Sequence, residues 1–406
     1  MGNILTELPF LKLEDILARA EQGEELNPRE MSNMLSRTFG PNIDLLMFAR
    51  GRGESEDIFR YVTNLNNNAR FADCIEDGKL EKPAKLDAFL KLQHLYNRID
   101  LAEVDVEDLI RKDLEEIANE ALKGALNRKE ELFITQFKKG KTLRDLRSFK
   151  PSIKNTIAPM CLSKMITGMG FYVNKGKLST LDELKDYCFF VAGTVGDALN
   201  RIVQIEHGRN VLNFNNARNM GAYVQITNII KNLEEDKNLK EYRIKFIPDE
   251  LHEGISYDQL FNEKTENAIK MRTKVLDDML SFAEAHFLPA SQYVIDVPRR
   301  LPGYAAFNDV ALLLAKETQK HIKNSGAERV FLGEESAIKA GKPTLQNVIS
   351  FVYRGVKTDD GIKLINFLND YRKNPDSFPF SDQEMYDRWS KDYFTKVVNG
   401  LSPGDP

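Results

Sequence analysis

The chain of 406 residues has little of several things that commonly mark a function. There are three cysteines, Cys74, Cys161 and Cys188, far apart and without metal-ligand spacing. The simplest reading makes them small buried packing residues of a protein from a reducing compartment. Five histidines, His94, His207, His252, His286 and His321, form no zinc-binding pair at helical spacing, which sets aside zinc hydrolysis. No run of 18 uncharged apolar residues occurs, so no bilayer-spanning helix is expected. Met1 to Pro9 lacks the basic start and apolar core of a signal peptide. Nor is positive charge in excess: 57 Lys and Arg stand against 61 Asp and Glu, and a net charge of −4 offers nucleic acid no general basic footprint. Strand-like alternation and repeats of fixed period are missing as well.

What is present is helical periodicity. Residues 11–22 carry one apolar stripe, and Asn27-Pro28 restarts a helix with Asn27 as N-cap and Pro28 at the first position. Residues 57–77 read as one helix. Asn64, Asn66, Asn67 and Asn68 weaken it intrinsically, and plain exposure is the expectation for them, with polar lining as the alternative. Helical pattern continues from Ala84 to Asn127. Residues 137–155 are basic and broken, a mobile excursion whose Lys138-Lys139-Gly140-Lys141 reads as a solvated turn. Leu181 to Asn200 reads as one long helix whose Ala192, Gly193 and Gly196 allow a neighbour to approach closely, and a further helix covers Ala217–Asp236. Two amphipathic helices, 265–287 and 304–325, are separated by Pro289, Pro298 and Pro302. An aromatic-rich polar stretch, 358–406, follows and is expected to anchor onto the body. The expectation is a mainly α bundle forming one domain over 1–406, with a polar tail at 395–406.

Two acidic stretches stand out, Asp73-Cys74-Ile75-Glu76-Asp77 and Asn232-Leu233-Glu234-Glu235-Asp236. On a helix, positions i, i+3 and i+4 share one face. Asp73, Glu76 and Asp77 therefore stack together, as do Asn232, Glu235 and Asp236. Oxygen-only donors at that spacing suit a hard cation, Mg²⁺ in particular, held jointly with phosphate oxygens. A solvated acidic helix face is the alternative for either stretch. The second follows the uncharged run Met220 to Ile230, which must be mostly buried.

With these residues in view the chain resembles the squalene/phytoene synthase family, and its squalene-synthase branch most. Ser36-Arg37-Thr38-Phe39 matches the family's early Ser-Arg-x-Phe motif. Arg70 with Asp73, Glu76 and Asp77 matches its first aspartate-rich motif. Tyr187-Cys188 through Val195-Gly196 matches its Tyr-Cys-x-x-Val-Ala-Gly-x-Val-Gly signature. Met220, Gly221, Gln225, Thr227, Asn228, Ile229 and Ile230 match the segment leading into the second acidic motif. Lys164, Met165, Gly168 and Met169 match as well.

The resemblance implies an all-α isoprenoid-synthase-type helical bundle around one central cavity. Its metal ligands would be Asp73, Glu76, Asp77, Asn228, Asn232, Glu235 and Asp236, holding Mg²⁺, with Mn²⁺ as a substitute. Ser36, Arg37, Arg70, Gln225, Lys231 and Arg243 would hold substrate diphosphate. Tyr187, with Arg70, Asp73 and Asp77, would act at the reacting carbons. Two prenyl diphosphates would condense head to head through a cyclopropyl intermediate. Reducing members then use NADPH, for which Arg37, Arg70, Lys231 and Lys339 are the matching cations, while dehydrosqualene and phytoene synthases omit that step. A cytoplasmic protein, peripheral to a membrane for release of its apolar product, is the implied setting. Departures are plain: Asn232 stands where the family has Asp, Lys231 where it has Arg, Ile244 where it has Arg with Arg243 and Lys245 flanking, and Ala337 at one of two basic positions linked to NADPH; the stretch between the first acidic motif and Lys164 is longer than in the family, so the resemblance implies an insertion at 100–155. These leave a non-reducing synthase and an inactive binding or assembly protein as alternatives.

Overall fold

The computed structural model describes residues 13–35, 56–101, 107–139, 158–207, 212–233, 244–297, 301–334 and 362–382, with shorter pieces within 337–352 and 384–389. The elements that position the site begin with α1 (Leu13–Glu21), α2 (Pro28–Leu35) and α3 (Glu56–Asp77). Next come α4 (Lys82–Leu101), α5 (Glu107–Lys123), α6 (Arg128–Lys138), α7 (Ala158–Lys175) and α8 (Leu181–Cys188). A single π-helical turn, Phe189–Gly193, joins α8 to α9 (Thr194–His207). The chain then forms α10 (Phe214–Lys231), α11 (Tyr257–Asn262), α12 (Glu266–Glu284), α13 (Phe287–Ile295) and α14 (Pro302–Ser325). Two short helices follow, α15 (Ala327–Phe331) and α16 (Ile362–Tyr371). Among the described residues the sole β-type pairing is a parallel bridge between Lys177 and Lys245. The expected all-α bundle is what the chain forms.

Local chemistry explains the helix starts. Asn27 accepts a hydrogen bond from the Glu30 N–H at 3.0 Å, and Glu30 returns one from the Asn27 N–H at 2.8 Å, a reciprocal cap at the head of α2. Pro289 sits inside the first turn of α13, where a missing N–H costs nothing. The expectation that Pro289 separates helices is therefore corrected: a helix runs through it. The segment 140–157, which holds most of the predicted excursion, lies outside the described residues.

The four asparagines of α3 correct another expectation, because all are buried. Asn67 donates to the Pro28 carbonyl at 2.8 Å and accepts from Ser32 Oγ at 2.8 Å, tying α3 to α2. Asn68 accepts from the Tyr96 hydroxyl at 2.6 Å, tying α3 to α4. Such bonds contribute about 1 kcal/mol each, and leaving a partner unpaired costs about 1–3 kcal/mol. At about 100° per residue, Asn67 and Asn68 lie on the side of α3 opposite Asp73. The helix is thus held from behind while its acidic face points inward.

The most intimate packing is between α10 and the π turn. A Cβ on Gly221 would stand 2.5 Å from the Ala192 carbonyl oxygen, and one on Gly196 would stand 2.4 Å from that of Ala217. Close approach through small residues was the sequence expectation, and it holds. The long helix expected over 181–200 does not continue as a regular α-helix, however. The π turn interrupts it, and the Thr194 N–H reaches back five residues to the Phe189 carbonyl. Gly168 of α7 makes room for Phe190, whose ring would lie 2.3 Å from an added Cβ.

Because the obstacles at Gly221 and Gly196 are backbone atoms, they cannot rotate aside. Gly221→Ala is expected to destabilise the fold by about 1–3 kcal/mol, read as a lowered urea midpoint at unchanged slope. A midpoint equal to wild type would show that α10 and the π turn do not touch this closely.

Candidate active site

The α3 face, α8 with the π turn and α9, α10, and α14 enclose a cavity of about 470 Å³. Its polar end is built from Arg70, Asp73, Glu76 and Asp77 of α3, Tyr187 of α8, and Gln225, Asn228, Lys231 and Asn232 of and beyond α10. Its other walls are largely apolar, including Val62, Leu65, Val195, Leu199, Phe307 and Leu314. Nine of the sequence candidates are brought together here. Arg70, Asp73, Glu76, Asp77, Tyr187, Gln225, Asn228, Lys231 and Asn232 share the cavity. Ala337 does not, being fully buried elsewhere. Ser36, Arg37, Glu235, Asp236, Arg243 and Lys339 lie outside the described residues.

The carboxylates are arranged tightly. Arg70 donates to Asp73 at 3.0 Å. Burial raises the Asp73 carboxyl to about 6, with Arg70 opposing the shift and Asp77 adding to it. About a third of the Asp73 side chain is exposed, and the surface it offers lies on the cavity wall. Glu76 is deeper. Its Oε2 accepts from the Tyr187 hydroxyl at 3.0 Å, while its Oε1 is buried with no hydrogen-bond partner. Burial and then the charges of Asp77 and Asp73 push the Glu76 carboxyl well up from its ordinary value. Burial, then the Glu76 charge, pushes the Tyr187 phenol up too, so it stays a proton donor. Its ring sits in an aromatic setting, 5.5 Å edge-on from Tyr172 and 4.9 Å from Phe246.

The opposite side is built differently. Lys231 donates to the Asn228 amide oxygen at 3.0 Å. The helix expected over Ala217–Asp236 is interrupted here: α10 ends at Lys231, Asn232 is its C-cap with its N–H turned back to the Asn228 and Ile229 carbonyls, Leu233 is helical again, and 234–236 lie outside the described residues. Gln319 of α14 donates to Thr227 at 2.6 Å and fixes the end of α10 against α14. Ile244, at a position where the resemblance expects a cation, is a core residue. Lys245 does not replace that cation; its ammonium lies 5.1 Å over the Tyr257 ring and does not line the cavity.

Among the described residues no three His, Cys, Asp or Glu side chains converge on a single metal-sized point. What α3 offers a cation is a crowded set of carboxylates, one with an orphaned buried oxygen, next to the cavity. That donor set suits a hard ion sharing its ligands with phosphate oxygens. Below this end the cavity is shaped by Asn66, for which the sequence left polar lining as the alternative, and by Asn308, which sequence reasoning missed. Their only signal is helical phase: Asn66 is seven residues before Asp73 and shares its face.

With this geometry in place, comparison with known proteins is informative. The profile of the family described as Squalene/phytoene synthase matches residues 56–339. The chain belongs to the squalene/phytoene synthase family. It is 27% identical to squalene synthase of Cyberlindnera jadinii over 203 residues, 45% of this chain and 44% of that protein. It is 35% identical to the chloroplastic phytoene synthase of an Oncidium hybrid cultivar over 104 residues, 25% of each chain. The chain thus matches less than half the length of these curated relatives. The fold of the ligand complex of TcSQS superposes with a TM-score of 0.62 at 18% identity, covering 95% of this chain and 98% of that one. The family's first aspartate-rich stretch and its tyrosine signature are the two sequence motifs that the fold brings into hydrogen-bond contact here.

An acid that holds its proton more tightly folded than unfolded stabilises the fold at low pH and loses that contribution as pH rises through its folded value. For Asp73 that window runs from about 4, the unfolded carboxyl, through about 6. Without divalent cation, the thermal midpoint of wild type is expected to fall across this window relative to that of Asp73→Asn. Midpoint curves that stay parallel from pH 4 to 7 would contradict the assignment.

Proposed function

We propose that the chain is a Mg²⁺-dependent prenyltransferase that condenses two prenyl diphosphates, farnesyl diphosphate foremost, head to head through a cyclopropyl intermediate. The observation that carries this reading is the Tyr187–Glu76 contact at the polar end of an otherwise largely apolar cavity. It joins a phenol, three carboxylates and Arg70 at one place, with Gln225, Asn228 and Lys231 lining the same cavity. Asp73, Glu76, Asp77, Asn228 and Asn232 would hold Mg²⁺, together with Glu235 and Asp236. Bound there, the ion supplies neutralisation of the leaving diphosphate.

The chain's own residues supply the rest. Arg70 and Lys231 offer positive charge, and Gln225 an amide, to diphosphate oxygens, as Ser36, Arg37 and Arg243 do in the resemblance. Apolar walls exclude water from an allylic cation, which bulk solvent would quench. The Tyr187 ring presents a π face that favours positive charge nearby. Its hydroxyl is oriented by Glu76, which keeps the phenol from wandering into the substrate space. Asn232 contributes an oxygen without charge, so this side binds metal more weakly than an aspartate would.

A non-reducing outcome is the favoured version. Ala337 is buried and offers no cation to a dinucleotide, so NADPH reduction is not part of the proposal. Release of an apolar product points to peripheral contact with a membrane; among the described residues no helix is long and apolar enough to cross one.

Incubation of the protein with Mg²⁺ and C10, C15 or C20 prenyl diphosphates is expected to release diphosphate and give a condensed product whose identity does not change with NADPH. Tyr187→Phe and Asp73→Asn should each lower the rate by about 10²-fold or more. Asn232→Asp should lower the Mg²⁺ concentration at half-maximal rate. No turnover with any donor, in wild type and Asn232→Asp alike, would favour an inactive binding protein; a strict NADPH requirement for squalene would overturn the non-reducing version.

A further inference from the structure

Lys85, in the first turn of α4, is only 1% exposed. Burying an ammonium is unfavourable unless its surroundings compensate the charge. This one donates to the backbone carbonyl of Glu76, in the last turn of α3. Lys85 does not line the cavity, so it stands behind the acidic face and out of reach of a substrate. The link that joins the two helices is pinned as well. The Lys79 N–H donates to the Gly124 carbonyl at 2.8 Å, and a Cβ on Gly124 would stand 2.6 Å from Leu80 Cγ.

The end of α3 is where such a charge has most effect. The last four carbonyls of a helix lack partners within it, and the aligned peptide dipoles make that end negative. α3 puts Glu76 and Asp77 in this turn, Asp73 one turn earlier, and no basic residue in the turn itself. Dipole and carboxylates therefore repel one another at the rim of the cavity. Arg70 offsets part of this from the cavity side, through Asp73. Lys85 offsets it from behind, from a different helix. Its bond goes to the main chain, and Glu76 Oε1 keeps no hydrogen-bond partner. The ammonium still acts on the Glu76 carboxylate through space, favouring the charged form.

We propose that Lys85 is a resident counter-charge for the acidic face of α3: it holds the last turn in place when no divalent cation is bound, and weakens that face's grip on the cation when one is. Lys85 is thus a positioning residue that acts through Glu76. The second half of the proposal rests on the metal-binding reading, and the first half does not. Two positive charges beside one acidic set repel each other. A divalent ion held less tightly for that reason leaves more readily with diphosphate.

The test measures Mn²⁺ binding to the full chain by electron paramagnetic resonance, and the thermal midpoint without divalent cation, both at pH 8. Lys85→Met keeps the length of the side chain and removes its charge. It should bind Mn²⁺ about tenfold more tightly than wild type. Lys85→Arg, which keeps the charge, should bind Mn²⁺ as wild type does. An unchanged or weakened affinity in Lys85→Met would make Lys85 a packing residue only and overturns the proposal. If wild type binds no Mn²⁺, the metal reading fails and the second half with it, and the midpoints decide the first half separately. Without cation, Lys85→Met should lower the midpoint, and the loss should shrink by about half or more when Glu76→Gln accompanies it. An equal loss in both backgrounds overturns the role of the charge. Where Lys85→Met alone does not fold, the double variant with Glu76→Gln is expected to fold; its failure overturns the proposal too.

Discussion

The contact of α10 with the π turn is the constraint on which the site depends. Two backbones meet where Gly221 faces the Ala192 carbonyl and Gly196 faces that of Ala217. No side chain lies between them to absorb a shift. Through α8 the π turn is continuous with Tyr187, which reaches Glu76 on α3; through α10 it is continuous with Asn228, Lys231 and Asn232. One close approach therefore sets the positions of groups from three elements. Interiors packed to this density respond to an added methyl by moving elements, not by small local adjustment.

The two sides of the polar end are unequal in kind. On α3, carboxylates crowd one another, and burial makes their charges expensive; the orphaned Glu76 oxygen records that crowding. Across the cavity stand amides and a lysine, with Asn228 and Lys231 already bonded to each other. A cation with its diphosphate would be held chiefly by the α3 side, and the α10 side would meet the phosphate with donors. This division follows from Asn232 being a helix cap with an uncharged side chain.

Much of this was legible in the sequence because it rests on local periodicity. The extent of α3 and the shared face of Asp73, Glu76 and Asp77 come from 3.6-residue spacing, and the small residues at 192, 193 and 196 announced close packing. The π turn was not legible, because a five-residue hydrogen bond is stabilised by what packs around it, here α7 through Gly168 and α10 through Gly221. The end of α10 at Lys231 was hidden for a similar reason: the acidic run after it continues the helical pattern, and the break appears only in the fold. Asparagine composition pointed the wrong way. Amides are poor helix formers in isolation, yet three of those on α3 are buried with backbone carbonyls as partners, and nothing in residue type alone tells a solvated amide from a bonded one.

The amide pins behind α3 separate two jobs that packed helices usually combine. In most bundles the side chains that fix a helix's rotation are the ones that fill the core beside it, so altering the lining re-tilts the helix. Here Asn67 and Asn68 set the rotation of α3 from its rear, through Pro28, Ser32 and Tyr96. Positions 62, 65, 66 and 69 are then at liberty to vary in size and polarity while Asp73 keeps its aim. A cavity re-cut for a different occupant needs that kind of freedom: a lining that varies beneath an acidic edge that stays where it was.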